Sequence, residues 1–126
     1  MLMRALQGAP KDDILFGRLA DAIVSPAIRA IADGAYRDKA GDAVRGSGYV
    51  VDCLEAALWC FHTTDSFAAA VLQAANLGDD ADTTAAVCGQ LAGAYYGESG
   101  IPRRWLDLLT MRREIGDLAD RLHRRA

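Results

Sequence analysis

The segment Tyr49-Val50-Val51-Asp52-Cys53-Leu54-Glu55-Ala56-Ala57-Leu58-Trp59-Cys60-Phe61 decides the fold class. Val51, Leu54, Leu58 and Phe61 recur every three or four residues, the period of one helix face. Ala56 and Trp59 broaden that stripe, so the helix is expected to be buried on more than one side. Such a helix needs neighbours, and the flanking sequence supplies them with the same period. Thr64 or Asp65 is placed to cap a helix running through Phe67, Val71 and Leu72 and ending near Asn76-Leu77-Gly78. Another begins in the acidic group Asp79, Asp80 and Asp82, continues through Val87 and Leu91 to Tyr95, and stops at Gly97. Its small residues Ala85, Gly89 and Gly93 lie four apart and let a neighbouring helix approach closely. Ile101-Pro102 opens a helix through Trp105, Leu108 and Leu109; a last one, from Arg112 to Arg125, carries Ile115, Leu118, Ala119 and Leu122 on one face.

Upstream, Asp12 and Asp13 precede Ile14, Leu15, Leu19 and Ile23, spaced as one face of a short helix. Ser25-Pro26 reads as an N-cap followed by proline at the first helical position, starting Pro26 to Ala32 before Gly34 ends it. Tyr36 to Ser47 is polar and glycine-containing and reads as a loop. No β-alternation, internal repeat or low-complexity linker interrupts this pattern. The expectation is an all-α, compact orthogonal helical bundle forming one domain over residues 1–126.

Composition narrows the function classes. Hydrophobic residues make up 52% and charged residues 25%, with 14 Lys+Arg against 17 Asp+Glu and a net charge of -3. That balance excludes disorder and an affinity for nucleic acid resting on bulk charge. Arg121, Arg124 and Arg125 suit the negative end of the last helix dipole better than a nucleic-acid surface. The longest apolar runs, Phe67 to Ala75 and Ala85 to Tyr96, fall short of the roughly 20 residues of a membrane span. Met1 to Gly8 contains no apolar region followed by a cleavage site, so a cytoplasmic location is expected. Cys53, Cys60 and Cys88 form no C-x-x-C pair and read as small core residues in a reducing compartment. His62, at a helix end, and His123, among arginines, read as structural, and Tyr95 and Tyr96 as packing aromatics.

The stretch able to carry chemistry is Asn76-Leu77-Gly78-Asp79-Asp80-Ala81-Asp82-Thr83-Thr84. In mid-helix, residues i and i+2 diverge by about 200°, so Asp80 and Asp82 would not reach one ion. In extended residues just before a helix they project to one side, with the Thr83 hydroxyl in the first turn. Carboxylates and a hydroxyl together are hard oxygen donors suited to Mg²⁺, Mn²⁺ or Ca²⁺ rather than zinc. The competing reading is helix capping by Asp79 or Asp80, with the other acids favouring the helix's positive end at about 0.3–1 kcal/mol each. Spacing leaves both open. Gly46-Ser47-Gly48-Tyr49 reads, on composition, as a turn before a helix.

Gly48 to Trp59, Asp65-Ser66-Phe67, Asn76 to Thr83 and Gly89-Gln90-Leu91-Ala92-Gly93-Ala94-Tyr95-Tyr96-Gly97 resemble, in order and spacing, the C-terminal part of the ADP-ribosylglycohydrolases of dinitrogenase reductase-activating type. Ile101 to Leu106 continues the likeness, which is dense from Gly46 to Leu106. The resemblance implies an all-α hydrolase that uses two Mg²⁺ or Mn²⁺ ions to release ADP-ribose from a protein side chain or a related small acceptor. The metals would hold the ribose hydroxyls and position a water at the anomeric carbon, where positive charge develops. It assigns Asp80, Asp82 and Thr83 to the metal and sets Ser47, Gly48 and Tyr49 beside the ADP-ribose; it assigns no catalytic residue.

Two departures matter. Asp79 stands where the family commonly has glycine, so a left-handed backbone there must be tolerated by aspartate. The family's opening Gly-Asp motif and its Thr-Asp-Asp-Thr metal motif have no counterpart; Lys11-Asp12-Asp13-Ile14 lacks the threonines and reads as a helix start. Ligands from one side alone imply weak divalent-metal affinity and no appreciable hydrolysis by this chain by itself. Uncovered apolar helix faces then imply self-association or an N-terminal partner chain, which would complete the site in trans. The alternative is a non-enzymatic helical binding or structural module of the same family.

Overall fold

The computed structural model describes residues 1–16 and 23–125. Eight α-helices and no strand occur among them: α1 (Leu2–Leu6), α2 (Lys11–Phe16), α3 (Pro26–Ala32), α4 (Val50–His62), α5 (Phe67–Ala75), α6 (Ala81–Tyr96), α7 (Arg103–Leu108) and α8 (Arg112–His123). The all-α architecture follows the periodicity. No helix among the described residues is long and apolar enough to cross a membrane.

The broad stripe of α4 makes it the hub. Cys53, Ala56, Ala57, Leu58, Cys60 and Phe61 are all buried, and α4 packs against α2, α3, α5 and α6. Phe61 is fully buried, with the Tyr95 and Tyr96 rings edge-on at 5.5 and 6.3 Å. Burying such a side chain stabilises the fold by roughly 1.5–3 kcal/mol. The small-residue row of α6 faces α5: a Cβ on Gly89 would touch Val71 at 3.7 Å, and one on Gly93 would touch Phe67 at 3.8 Å. Lys11, at the start of α2, sends its ammonium over the Phe61 ring, 4.5 Å from the centroid, and donates to the Thr64 carbonyl. Burial lowers its pKa, which the charges of Asp65, Cys88 and Asp12 only partly oppose.

All three cysteines are buried and free, and burial pushes the Cys60 thiol up to about 11 and the Cys88 thiol up to about 12. Cys60 and Cys88 are therefore neutral core groups at neutral pH.

Several local expectations need correction. Met1–Gly8 contains the short helix α1, which packs on α6 and α2. The helix begun at Asp12-Asp13 does not include Ile23, and Leu19 lies outside the described residues. Neither Thr64 nor Asp65 caps α5; Ser66 does, its hydroxyl accepting the Ala69 N–H at 3.1 Å. Thr64 is occupied at the other boundary, donating to the Cys60 carbonyl at 2.7 Å and so closing α4. Tyr36, placed in a polar loop by its neighbours, is fully buried between Phe16 and His62, at ring distances of 6.1 and 6.2 Å. That loop is tied to α4 by Trp59, whose indole N–H donates to the Lys39 carbonyl at 3.0 Å, and by a Lys39–Glu55 ion pair at 2.7 Å. α8 is exposed along its whole length, with Ile115, Leu118 and Leu122 uncovered.

Candidate metal and ADP-ribose site

The site begins where α5 ends. Gly78 and Asp79 both take positive φ, +79° and +52°, and this double left-handed step turns the chain back into α6. The backbone that the glycine-to-aspartate departure demands is therefore present. Asp80 occupies the N-cap position, and α6 starts at Ala81. Asp82 thus lies inside the first turn rather than in the extended residues before it, and Thr83 lies in that turn as expected. The helix begins this early because the Asp80 carbonyl already accepts the Thr84 N–H at 3.1 Å.

The Asp80 side chain takes none of the helix's free N–H groups. Its Oδ1 instead accepts the Thr83 hydroxyl at 3.0 Å. Asp82 Oδ1 accepts the Thr83 N–H at 3.0 Å, so the backbone donor at this helix start is met by the residue beside it. Asp80, Asp82 and Thr83 are linked through Thr83, and Asp82 and Thr83 are exposed. As a donor set, two carboxylates and a hydroxyl are hard oxygens that fit part of a Mg²⁺ or Mn²⁺ shell. Among the described residues no group of three or more His, Cys, Asp or Glu side chains is placed to hold a metal.

The second predicted segment lies directly against the first. The Gly46 carbonyl accepts the Asp80 N–H at 2.9 Å. Gly46 is buried with no room for a side chain: a Cβ would stand 3.1 Å from Thr84 Oγ1 and 3.3 Å from the Gly78 carbonyl. Two residues on, a Cβ at Gly48 would lie 3.6 Å from Asp80 Oδ2. Beneath this contact Thr84 is fully buried, bonded to the Asp80 carbonyl at 3.2 Å. Ser47 Oγ donates to Asp52 Oδ2 at 2.8 Å and accepts the Tyr49 N–H at 3.2 Å. Tyr49 itself is 61% exposed at the N-terminal end of α4. Sequence reasoning included Asp52 only within the family-like run Gly48 to Trp59 and gave it no role; its place five residues after a serine in a turn was the available signal.

Residues 1–126 match the family model described as ADP-ribosylglycohydrolase, and the chain belongs to that family. It is 55% identical over 89 residues to the ADP-ribosylarginine hydrolase Tri1 of Serratia proteamaculans, covering 71% of this chain and 24% of that protein. Against the Tri1 of Pseudomonas putida it is 47% identical over 122 residues, 97% of this chain and 32% of the relative. The ADP-ribosyl-[dinitrogen reductase] glycohydrolase of Rhodospirillum rubrum is 44% identical over 80 residues, 62% and 27% of the two chains. A solved structure, described as an ADP-ribosylglycohydrolase-related protein complex, superposes with a TM-score of 0.84 at 44% identity over 94% of this chain and 41% of its own. The chain thus spans about a quarter to a third of the length of these curated relatives.

Proposed function

We propose that this chain carries one side of an ADP-ribosylglycohydrolase site, with Asp80, Asp82 and Thr83 as ligands to Mg²⁺ or Mn²⁺ and Ser47, Gly48 and Tyr49 against the ADP-ribose. The observation that carries the reading is the Asp80 carboxylate. It stands at a helix N-cap, declines the cap, and is held by the Thr83 hydroxyl with Gly48 close behind it. A carboxylate serving only to cap would accept an N–H of the first turn. The metal, when bound, would supply Lewis acidity and an anchor for ribose hydroxyls. The chain's own residues orient the donors, and the exposed Tyr49 offers an aromatic face beside them. The names of the two Tri1 relatives favour ADP-ribosylarginine in a protein as the substrate class.

With ligands from one side, this chain binds divalent metal weakly and turns over no ADP-ribosylated protein by itself. The uncovered face of α8 is then a surface for a second copy or an N-terminal partner chain. The lack of a three-carboxylate cluster among the described residues also favours a second reading, a module that binds ADP-ribose without cleaving it. Mn²⁺ titration followed by electron paramagnetic resonance tests the assignment. Weak binding is expected, lost in Asp80→Ala and Asp82→Ala. Binding that is tight, or that survives Asp80→Ala, overturns it; release of ADP-ribose from an ADP-ribosylated protein by the chain alone overturns the claim of inactivity.

A further inference from the structure

We infer that Asp52 is a positioning residue for the ADP-ribose loop, acting through Ser47; this rests on the functional reading above. The turn at residues 46–49 ends in Tyr49, whose carbonyl accepts the Cys53 N–H at 3.0 Å, and ahead of that it is held at two further points. One is Gly46, whose carbonyl holds the Asp80 amide at 2.9 Å and whose Cα is crowded by Thr84 and the Gly78 carbonyl. This sets the base of the turn against the acidic helix start. The other is Ser47, whose hydroxyl joins the turn to the body of the protein and to its own tip.

A serine hydroxyl has one hydrogen to donate and is free to rotate. Here the donation goes to Asp52 Oδ2 at 2.8 Å, in the first turn of α4. With the hydrogen committed there, a lone pair of the same oxygen faces the Tyr49 N–H at 3.2 Å. The carboxylate therefore decides which way the hydroxyl points, and the hydroxyl holds the Tyr49 N–H, the Tyr49 carbonyl being held separately by the Cys53 N–H at 3.0 Å. Because Asp52 belongs to the most deeply packed helix, it transmits the rigidity of the core to residues 47–49. Without it the serine is free to turn its hydrogen to solvent, and Gly48, exposed and unrestrained by a side chain, lets the turn drift from Asp80.

An ordinary role for an acid in the first turn is to meet the helix's positive end, and the two roles predict different behaviour. An asparagine at 52 loses the charge that favours the helix end but keeps an oxygen to accept from Ser47.

The test uses the full chain as Asp52→Ala, Asp52→Asn, Ser47→Ala and the double alanine variant. Three quantities are read: amide hydrogen exchange at Tyr49 against Ala56 in the middle of α4, ADP-ribose affinity in Mg²⁺ by chemical-shift titration, and Mn²⁺ affinity. A lost charge-assisted hydrogen bond corresponds to about a tenfold change. Asp52→Ala is expected to speed Tyr49 exchange and weaken ADP-ribose by about that factor, with Ala56 exchange and Mn²⁺ affinity held within about twofold. Asp52→Asn is expected to stay near wild type, and the double variant to add nothing to Ser47→Ala. Unchanged Tyr49 exchange in Asp52→Ala overturns the inference, as does a parallel rise at Ala56 or an Asp52→Asn variant that behaves as the alanine. If the wild-type chain takes up no ADP-ribose, the functional reading fails, while the exchange measurements still decide whether Asp52 holds the turn.

Discussion

At Asp79 the backbone carries φ +52°, a conformation that costs most L-residues about 1–2 kcal/mol and aspartate less. Replacing it with glycine removes that strain but adds freedom to the unfolded chain, so the two effects nearly cancel. Asp79→Gly is expected to shift the free energy of urea unfolding by less than about 1 kcal/mol, whereas Asp79→Val, branched at Cβ, should lose about 1–2 kcal/mol. Equal losses in the two variants would show that the position is set by side-chain contacts instead. The residue scale is also where sequence and structure part most clearly. That the backbone at 79 must be left-handed was readable from the resemblance, because a glycine position had been filled by aspartate. The pairing of Thr83 with Asp80 was not readable as drawn, since extended geometry was assumed where the helix had already begun.

The helices themselves are well marked in the sequence, α4 and α8 by apolar residues recurring every three or four positions and α3 by its Ser25-Pro26 start and Gly34 stop. Ends are less well marked, because neighbouring hydroxyls compete for them. Thr64, Asp65 and Ser66 are all chemically able to cap α5, and the choice falls to Ser66 because Thr64 is drawn to the Cys60 carbonyl at the end of α4. Tyr36 was invisible for another reason: its neighbours in sequence are polar, and only the docking of α2 and α4 supplies the aromatic pocket it fills. The α5–α6 contact offers a quantitative check. At Gly89 a Cβ would meet Val71 at an ordinary contact distance of 3.7 Å, so there is room for a methyl group and no more. Gly89→Ala is therefore expected to raise stability by about 0.5–1 kcal/mol through helix propensity. Gly89→Leu should lower it by about 1–3 kcal/mol through overpacking. Denaturant midpoints measure both, and destabilisation by the alanine would mean that the helices are closer than described.

Taken whole, the molecule buries neutral thiols and a phenol whose ionisation the folded state resists. Cys60 is pushed up to about 11, Cys88 up to about 12 and Tyr36 up to about 12, each by burial. Raised values in the folded state mean that the unfolded chain releases these protons first as pH rises. Stability is therefore intact below pH 9.0, the ordinary thiol value, and declines as pH climbs toward about 12. Lys11 works in the opposite direction, since its lowered pKa favours folding increasingly as pH rises toward 10.5. Burial raises Tyr96 as well, so four groups outweigh one, and urea midpoints under reducing conditions should fall as pH rises above 9.0, and fall less in Cys88→Ala. A midpoint that holds steady over that range would contradict the burial of these thiols.

The bond from the Gly46 carbonyl to the Asp80 amide joins segments separated by all of α4 and α5. Closing so long a span costs chain entropy that only the docked helices offset. The acidic run is consequently a tertiary product and not a portable tag: grafted onto an unrelated helix, its letters would travel and its floor would stay behind.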